Sequence, residues 1–197
     1  MRPPSASKSG DLRSLILSTD RASCGPRTEV EKRQESKNPI GTFDVNLPLT
    51  GAPGVECRTG PTAGNHRVIV TFAAPVTVTN VTVTPGAGGT ASVADNLVSG
   101  NSVFVDLSNV SNAQTLTINL LGVSDGSNTG DVHIPMGVLL GDTNADGFVN
   151  SADISQTKSQ SGNAVTSANF REDVNADGFI NSADISLVKS KSGTALP

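Results

Sequence analysis

The sequence predicts a mostly β chain that ends in a small α module. Three features carry this: period-two alternation of apolar residues through the middle of the chain, a turn-rich composition, and a close internal repeat near the C-terminus. The chain has 197 residues, with 20 Gly, 11 Pro, six Phe, two His and neither Trp nor Tyr. Gly and Pro at that level, beside many Thr, Ser, Val and Asn, favour short strands and turns over long helices. So few aromatic faces argue against a surface that stacks sugars or single-stranded nucleic acid. The net charge of −4 divides into +3 for residues 1–40, −4 for 41–140 and −3 for 141–197. With no basic domain, nucleic acid is excluded as a partner. No apolar run reaches 18 residues, so no helical membrane span is expected.

Residues 1–40 alternate charge, Ser and Pro around one short apolar patch, Leu15-Ile16-Leu17. This composition predicts a disordered N-terminal segment. A secretory signal needs an apolar stretch of about 7–15 residues behind its basic start, and none is visible here. The remainder reads as an exported protein, so the start reads as truncated or misassigned. Cys24 and Cys57 leave two outcomes open, a disulfide holding the tail to the next domain or two free thiols. No Cys/His spacing points to zinc.

Alternation begins at Gly41 and defines a β domain over residues 41–140. Phe43, Val45 and Leu47 alternate with Asp44 and Asn46. Val68, Val70 and Phe72 share one face of 66–73, and Val103, Val105 and Leu107 do the same in a later run. Leu116, Ile118 and Leu120 follow, and Val132, Ile134, Met136, Val138 and Leu140 close the series. Alternation of this kind sets one face of each strand on a core. In 76–84 the valines fall at 76 and 78, then at 81 and 83, a phase slip that predicts a bulge or bend at Thr79-Asn80. Pro85-Gly86, Ser99-Gly100-Asn101 and Asp125-Gly126 mark turns. Short strands in about 100 residues fit an immunoglobulin-like β-sandwich.

The Gly/Pro-rich loop 50–65 is where such a domain would recognise a ligand, and a spacer or scaffold is the plainer reading. His66 and His133 lie in or beside strands without a nucleophile constellation, and read as ordinary strand residues. Asn80-Val81-Thr82 and Asn109-Val110-Ser111 match the glycosylation acceptor, a pattern expected by chance in this composition.

The repeat carries the most information. Residues 142–162 and 173–193 are identical at 16 of 21 positions, at an offset of 31. Each copy opens D-x-N-x-D-G-x-[VI]-N-x-x-D, which is the ligand schedule of an EF-hand loop. In the first copy Asp142, Asn144 and Asp146 supply side-chain oxygens, and Phe148 a backbone carbonyl. Asn150 acts through water, and Asp153 is the closing carboxylate. In the second copy the same roles fall on Asp173, Asn175, Asp177, Phe179, Asn181 and Asp184. Calcium, a hard cation wanting 6–8 oxygens, explains both the donor type and the spacing. Gly147 and Gly178 permit the sharp turn around it. Two calcium ions are therefore expected. An isolated Asp/Asn/Gly cluster would make only Asx-turns; two complete copies at fixed offset argue for metal.

Two departures from a standard EF-hand stand out. The closing residue is Asp rather than Glu, and Gly137–Gly141 reads as a strand end, so the entering helix is missing. Exiting helices are expected at Ser151–Ser161 and Ser182–Ser192, stopped by Gly162 and Gly193. Val149 and Ile180 are placed to pair across the loops as a minimal β-bridge.

A duplicated loop–helix with Asp at position 12 and Asn-Ser at positions 9–10, at the C-terminus of a β-rich chain, resembles the dockerin family over residues 141–194. The resemblance implies a calcium-stabilised, non-catalytic module over 141–197 that plugs a secreted protein, often a polysaccharide-degrading one, into a cohesin-type partner. It also implies recognition residues: Ser151, Ala152 and Lys158 on one helix, Ser182, Ala183 and Lys189 on the other. Two further classes compete with tethering. One is a calcium-stabilised structural or adhesion segment of a larger surface protein, with the module packed against the β-sandwich. The other is a glycosidase, which needs paired carboxylates in a cleft. The acids outside the loops and the tail (Asp44, Glu56, Asp95, Asp106, Asp125 and Asp131) are scattered, so catalysis is not expected. The implied location is extracellular or at the cell surface.

Overall fold

The computed structural model describes residues 27–32, 43–60 and 62–197. Among these residues nine strands precede two helices: β1 (Arg27–Lys32), β2 (Phe43–Asn46), β3 (Gly54–Glu56), β4 (His66–Thr71), β5 (Asn80–Thr84), β6 (Ser92–Ser99), β7 (Ser102–Ser108), β8 (Gln114–Ser124), β9 (Thr129–Val138), α1 (Ser151–Gln160) and α2 (Ser182–Lys191). A single 3-10 turn, Phe170–Glu172, lies between the helices. Among the described residues no helix is long and apolar enough to cross a membrane.

The strands form two sheets, ordered β2-β1-β4-β7-β6 and β3-β9-β8-β5. Neighbours are antiparallel except β3, which runs parallel to β9. The alternation read from the sequence sets the inward faces. Val68 and Val70 of β4, Val103, Val105 and Leu107 of β7, Leu116, Ile118 and Leu120 of β8, and Ile134 and Met136 of β9 are all buried in one core. Both sheets contribute to it, and burial of such aliphatic side chains, worth about 1.5–3 kcal/mol each, is what holds the two sheets together.

Three strands depart from the sequence expectation. β1 lies inside the segment 1–40 expected to be disordered, and pairs with β2 on one side and β4 on the other. Its sequence, RTEVEK, carries a single apolar residue, so no hydrophobic pattern announces it; what places it is backbone pairing on both edges. The rest of 1–40, with Cys24, lies outside the described residues. β3 forms within the expected loop 50–65 and is only three residues long. β6 is an edge strand whose residues are mostly exposed, so it lacks the alternation by which its neighbours are recognised. The expected bend at Thr79-Asn80 is present: Thr77 pairs alone with Ser124 before β5 begins at Asn80. Pairing with β8 keeps one register across that bend, and the slip lies instead between β8 and β9, at Leu120–Val123.

Candidate metal centre

β9 ends at Val138 and the chain turns through Gly141 straight into the first loop, without an entering helix. The two loops repeat the same bond pattern. In loop 1 the N–H groups of Asp146 and Gly147 donate to the two carboxylate oxygens of Asp142 at 3.1 and 3.0 Å. In loop 2 Asp177 and Gly178 donate to Asp173 at 3.1 and 2.9 Å. Phe148 and Phe179 donate their N–H to Asp146 and Asp177, each at 2.9 Å. Asn144 and Asn175 donate through their side-chain amides to the same two aspartates, at 2.9 and 2.8 Å. Each loop thus wraps its backbone donors around its own carboxylates.

Helix and loop share residues. Asn150 and Asn181 are the N-caps of α1 and α2, accepting from Ala152 and Ala183 N–H at 2.7 Å. Asp153 and Asp184 close the capping boxes by accepting from the N-cap N–H at 2.8 and 2.9 Å. Their other oxygens reach back to Asn144 and Asn175 N–H, at 3.3 and 3.2 Å. One aspartate therefore starts each helix and closes each loop.

The loops do not pair with each other through Val149 and Ile180, as the sequence led one to expect. Both residues are buried, but each loop pairs with the tail of the other unit's helix. Phe148 bridges to Ala195 and Phe179 to Ala164. Val149 exchanges backbone bonds with Thr194 and Gly193 at 2.9 and 2.8 Å, while Gly162 donates to Ile180 O at 2.8 Å. The tails, rather than the loops, are near enough to serve as partner strands, because the exiting helices turn back at Ser161 and Ser192. Both bridges obey the offset of 31 found in the sequence, which gives the module a pseudo-twofold relation.

The donor set tests whether a metal fits. Among the described residues no group of three or more His, Cys, Asp or Glu is gathered as a ready-made metal cluster. Each loop instead mixes aspartates with asparagines and backbone carbonyls, an all-oxygen set suited to a hard cation. Asp142, Asp153, Asp173 and Asp184 are buried. Burial pushes the Asp142 carboxyl upward, the Asp153 charge adding to it and Arg171 opposing it. Burial, then the Asp184 and Asp177 charges, pushes Asp173 up to about 6. Asp184 is raised by burial and by Asp177. Buried carboxylates that repel one another fit a divalent cation, whose charge would neutralise them.

The expected recognition residues Ser151, Ala152, Lys158, Ser182, Ala183 and Lys189 are all exposed, and so are the large side chains of Phe148 and Phe179, at 59% and 58%. His133 Nδ1 lies 2.8 Å from Asn119 Oδ1 on an exposed face, and His66 is buried in β4. Cys57 is a free, fully buried thiol whose pKa burial pushes up to about 12, beyond the range of a reactive thiolate.

Sequence reasoning missed Phe170 and Arg171. Arg171 donates to the carbonyls of Thr143, Val55 and Asp142 at 2.8, 3.0 and 2.8 Å. Phe170 stacks on Phe43 with ring centroids 5.5 Å apart. The one signal available was a break in the repeat, since these positions correspond to Leu139 and Leu140 ahead of the first copy.

Residues 140–191 match the family model of the dockerin type I domain. That family comprises calcium-binding, non-catalytic modules that bind cohesin domains. Neither the curated proteins nor the solved structures gave a match.

Proposed function

We propose that residues 141–197 are a module that binds two calcium ions and tethers the chain to a cohesin-type domain. The observation that carries this is the duplicated loop, in which buried carboxylates, capping boxes and tail bridges recur at an offset of 31. In loop 1 the ligands are Asp142, Asn144, Asp146, the Phe148 carbonyl, Asn150 through water, and Asp153. In loop 2 they are Asp173, Asn175, Asp177, the Phe179 carbonyl, Asn181 through water, and Asp184. The exposed Ser151, Ala152 and Lys158, with Ser182, Ala183 and Lys189, form the partner faces. Calorimetric titration of the full chain tests the metal reading. About two calcium equivalents with little competition from magnesium are expected, since magnesium demands a tight octahedron. A stoichiometry near zero would end it.

The family context supports an extracellular or cell-surface setting, including a polysaccharide-degrading assembly. The β strands support an immunoglobulin-like sandwich over 41–140, extended backwards by β1, serving as a non-catalytic scaffold. Two acids a glycosidase would draw on are tied up in ion pairs, Glu56 with Arg58 and Asp106 with Arg67.

A second reading, a calcium-stabilised clamp packed on the β sandwich, is favoured by one specific observation. Val55 shares an apolar cluster with Leu139, Val149, Val174 and Val188, residues drawn from β3, the chain after β9, both loops and α2. Binding to cohesin-type domains separates the readings: micromolar binding supports the tether, and no binding leaves the clamp.

A further inference from the structure

Four consecutive residues, Phe170 to Asp173, lead from the segment after α1 into the second loop. Each makes a different connection. Phe170 lies nearly parallel to Phe43 of β2, at an interplanar angle of 15°. On the same ring sits the Arg58 guanidinium, 4.7 Å from the centroid. Arg58 is itself held rigid: Glu56 accepts from its Nε and Nη2, each at 3.0 Å, and Phe43 O accepts from Nη2 at 3.0 Å. A buried, doubly bonded guanidinium over an aromatic face makes a fixed seat for the ring.

Arg171 carries the next connection. Its planar fork spends three N–H groups on three carbonyls, two of them at positions 1 and 2 of loop 1 (Asp142 and Thr143) and one on Val55 of β3. Val55 lies 116 positions earlier in the chain. Around this fork the Cys57 thiol donates to Arg171 O at 3.5 Å, and Thr59 N–H donates to Val174 O at 2.7 Å, beyond the first residue of loop 2. Glu172 accepts from Gln156 of α1 at 2.7 Å. Asp173, the first ligand position of loop 2, follows directly.

We propose that the Phe170–Arg171 pair couples the metal loops to the β region, with Arg171 as a positioning residue for loop 1 and Phe170 as its anchor. The proposal rests on the calcium reading above and goes beyond it. It states that calcium affinity is set partly by a seat on β2 and β3, outside the repeat altogether. The physical reason is geometric. A guanidinium has a rigid fork, so the three carbonyls it bonds are fixed relative to one another. Displacing the seat displaces the start of loop 1, where the first carboxylate stands. Linkage makes the effect reciprocal: whatever the seat adds to calcium affinity, calcium adds to the stability of the seated state. Two independent domains that merely touch would show neither effect.

The test uses the full chain with calcium as the only added ligand. Phe43→Leu keeps an apolar side chain but removes the stacked ring, and Phe43 belongs to neither loop. Arg171→Lys keeps the charge but cannot reach three carbonyls. Each variant is expected to weaken at least one calcium site about tenfold in calorimetric titration, with the β circular dichroism unchanged. In the wild type, calcium is expected to raise the thermal midpoint of the β signal, and Phe43→Leu is expected to shrink that rise. If the wild type binds calcium while both variants bind it equally well, the coupling is wrong and the metal reading stands. A calcium-independent β midpoint in the wild type overturns the coupling without any variant. A wild type that binds no calcium overturns the metal reading and the coupling together.

Discussion

Ala145 and Ala176, at position 4 of each loop, adopt φ of 60° and 53°, a left-handed conformation that costs an L-residue roughly 1–2 kcal/mol. Position 6 meets the same demand with Gly147 and Gly178, at 84° and 92°. Changing either alanine to glycine should stabilise the module by about 0.5 kcal/mol, since relief of strain exceeds the extra entropy glycine gives the unfolded chain. Chemical denaturation in excess calcium measures this, and a destabilised variant would contradict it. Asp173 gives a pH prediction. Burial, and then its carboxylate neighbours, raise its folded pKa from 3.8 to about 6. A raised folded pKa contributes stability below the unfolded value that is lost as pH rises through the folded one. In metal-depleted buffer the helical circular dichroism should therefore be stronger at pH 4.5 than at pH 7. Saturating calcium should reverse that order, because protons compete for the same oxygens. An unchanged order would show that Asp173 does not face the metal. The Asp/Asn schedule proposed to hold calcium was legible because wrapping a chain around an ion fixes the spacing of its donors. Arg171 was not, because its three acceptors are backbone carbonyls, which leave no mark in sequence.

At the scale of elements, alternation announced β4, β7, β8 and β9, whose inward residues are buried in one core. It was silent for β6, which is solvated on both faces over most of its length, and for β3, too short to show a period. The helices were placed to within a residue because each is bounded by local chemistry, an Asn cap at one end and a turn into Gly162 or Gly193 at the other. Their partners were not, since pairing between loop and opposite tail depends on how two similar units meet. The tail after α2 makes this testable. Leu196 N–H donates to Gly147 O at 2.9 Å, and its side chain packs on the cluster of Val55, Leu139 and Val188. Removing residues 194–197 should weaken the calcium site of loop 1 several-fold and leave loop 2, which is braced by Gly162 and Ala164, near its original affinity. Equal loss at both sites in a two-site titration would argue against the crossed arrangement.

At the scale of the molecule, the C-terminal part has 57 residues from 141 to 197 and only 12 of them are Val, Ile, Leu, Met or Phe, a small core for independent stability. Calcium at about a thousand times its dissociation constant adds roughly 4 kcal/mol per site, comparable to all the stability such a module could hold. Chelation at neutral pH should abolish the helical circular dichroism and leave the β signal in place; helices that persist would make the metal dispensable. The pseudo-twofold relation then decides how a partner is met. Ser151, Ala152 and Lys158 are exposed on α1, as are Ser182, Ala183 and Lys189 on α2, so two equivalent faces are available. The apolar difference between the helices points inward: Val188 is buried and Leu187 packs against the cluster around Leu139, where α1 has Thr157 and Gln156. Neither of the proposed recognition faces is spent on that cluster. A partner that reads one face could dock in either of two orientations related by half a turn. Ala152→Asp alone, or Ala183→Asp alone, should therefore change affinity for a cohesin-type domain only a few-fold. Together they should abolish it, because each orientation would bury an unpaired carboxylate at the interface. A binding titration of the two single variants and the double variant decides the matter. If one single variant removes binding outright, only one face is used and the internal symmetry serves folding rather than recognition.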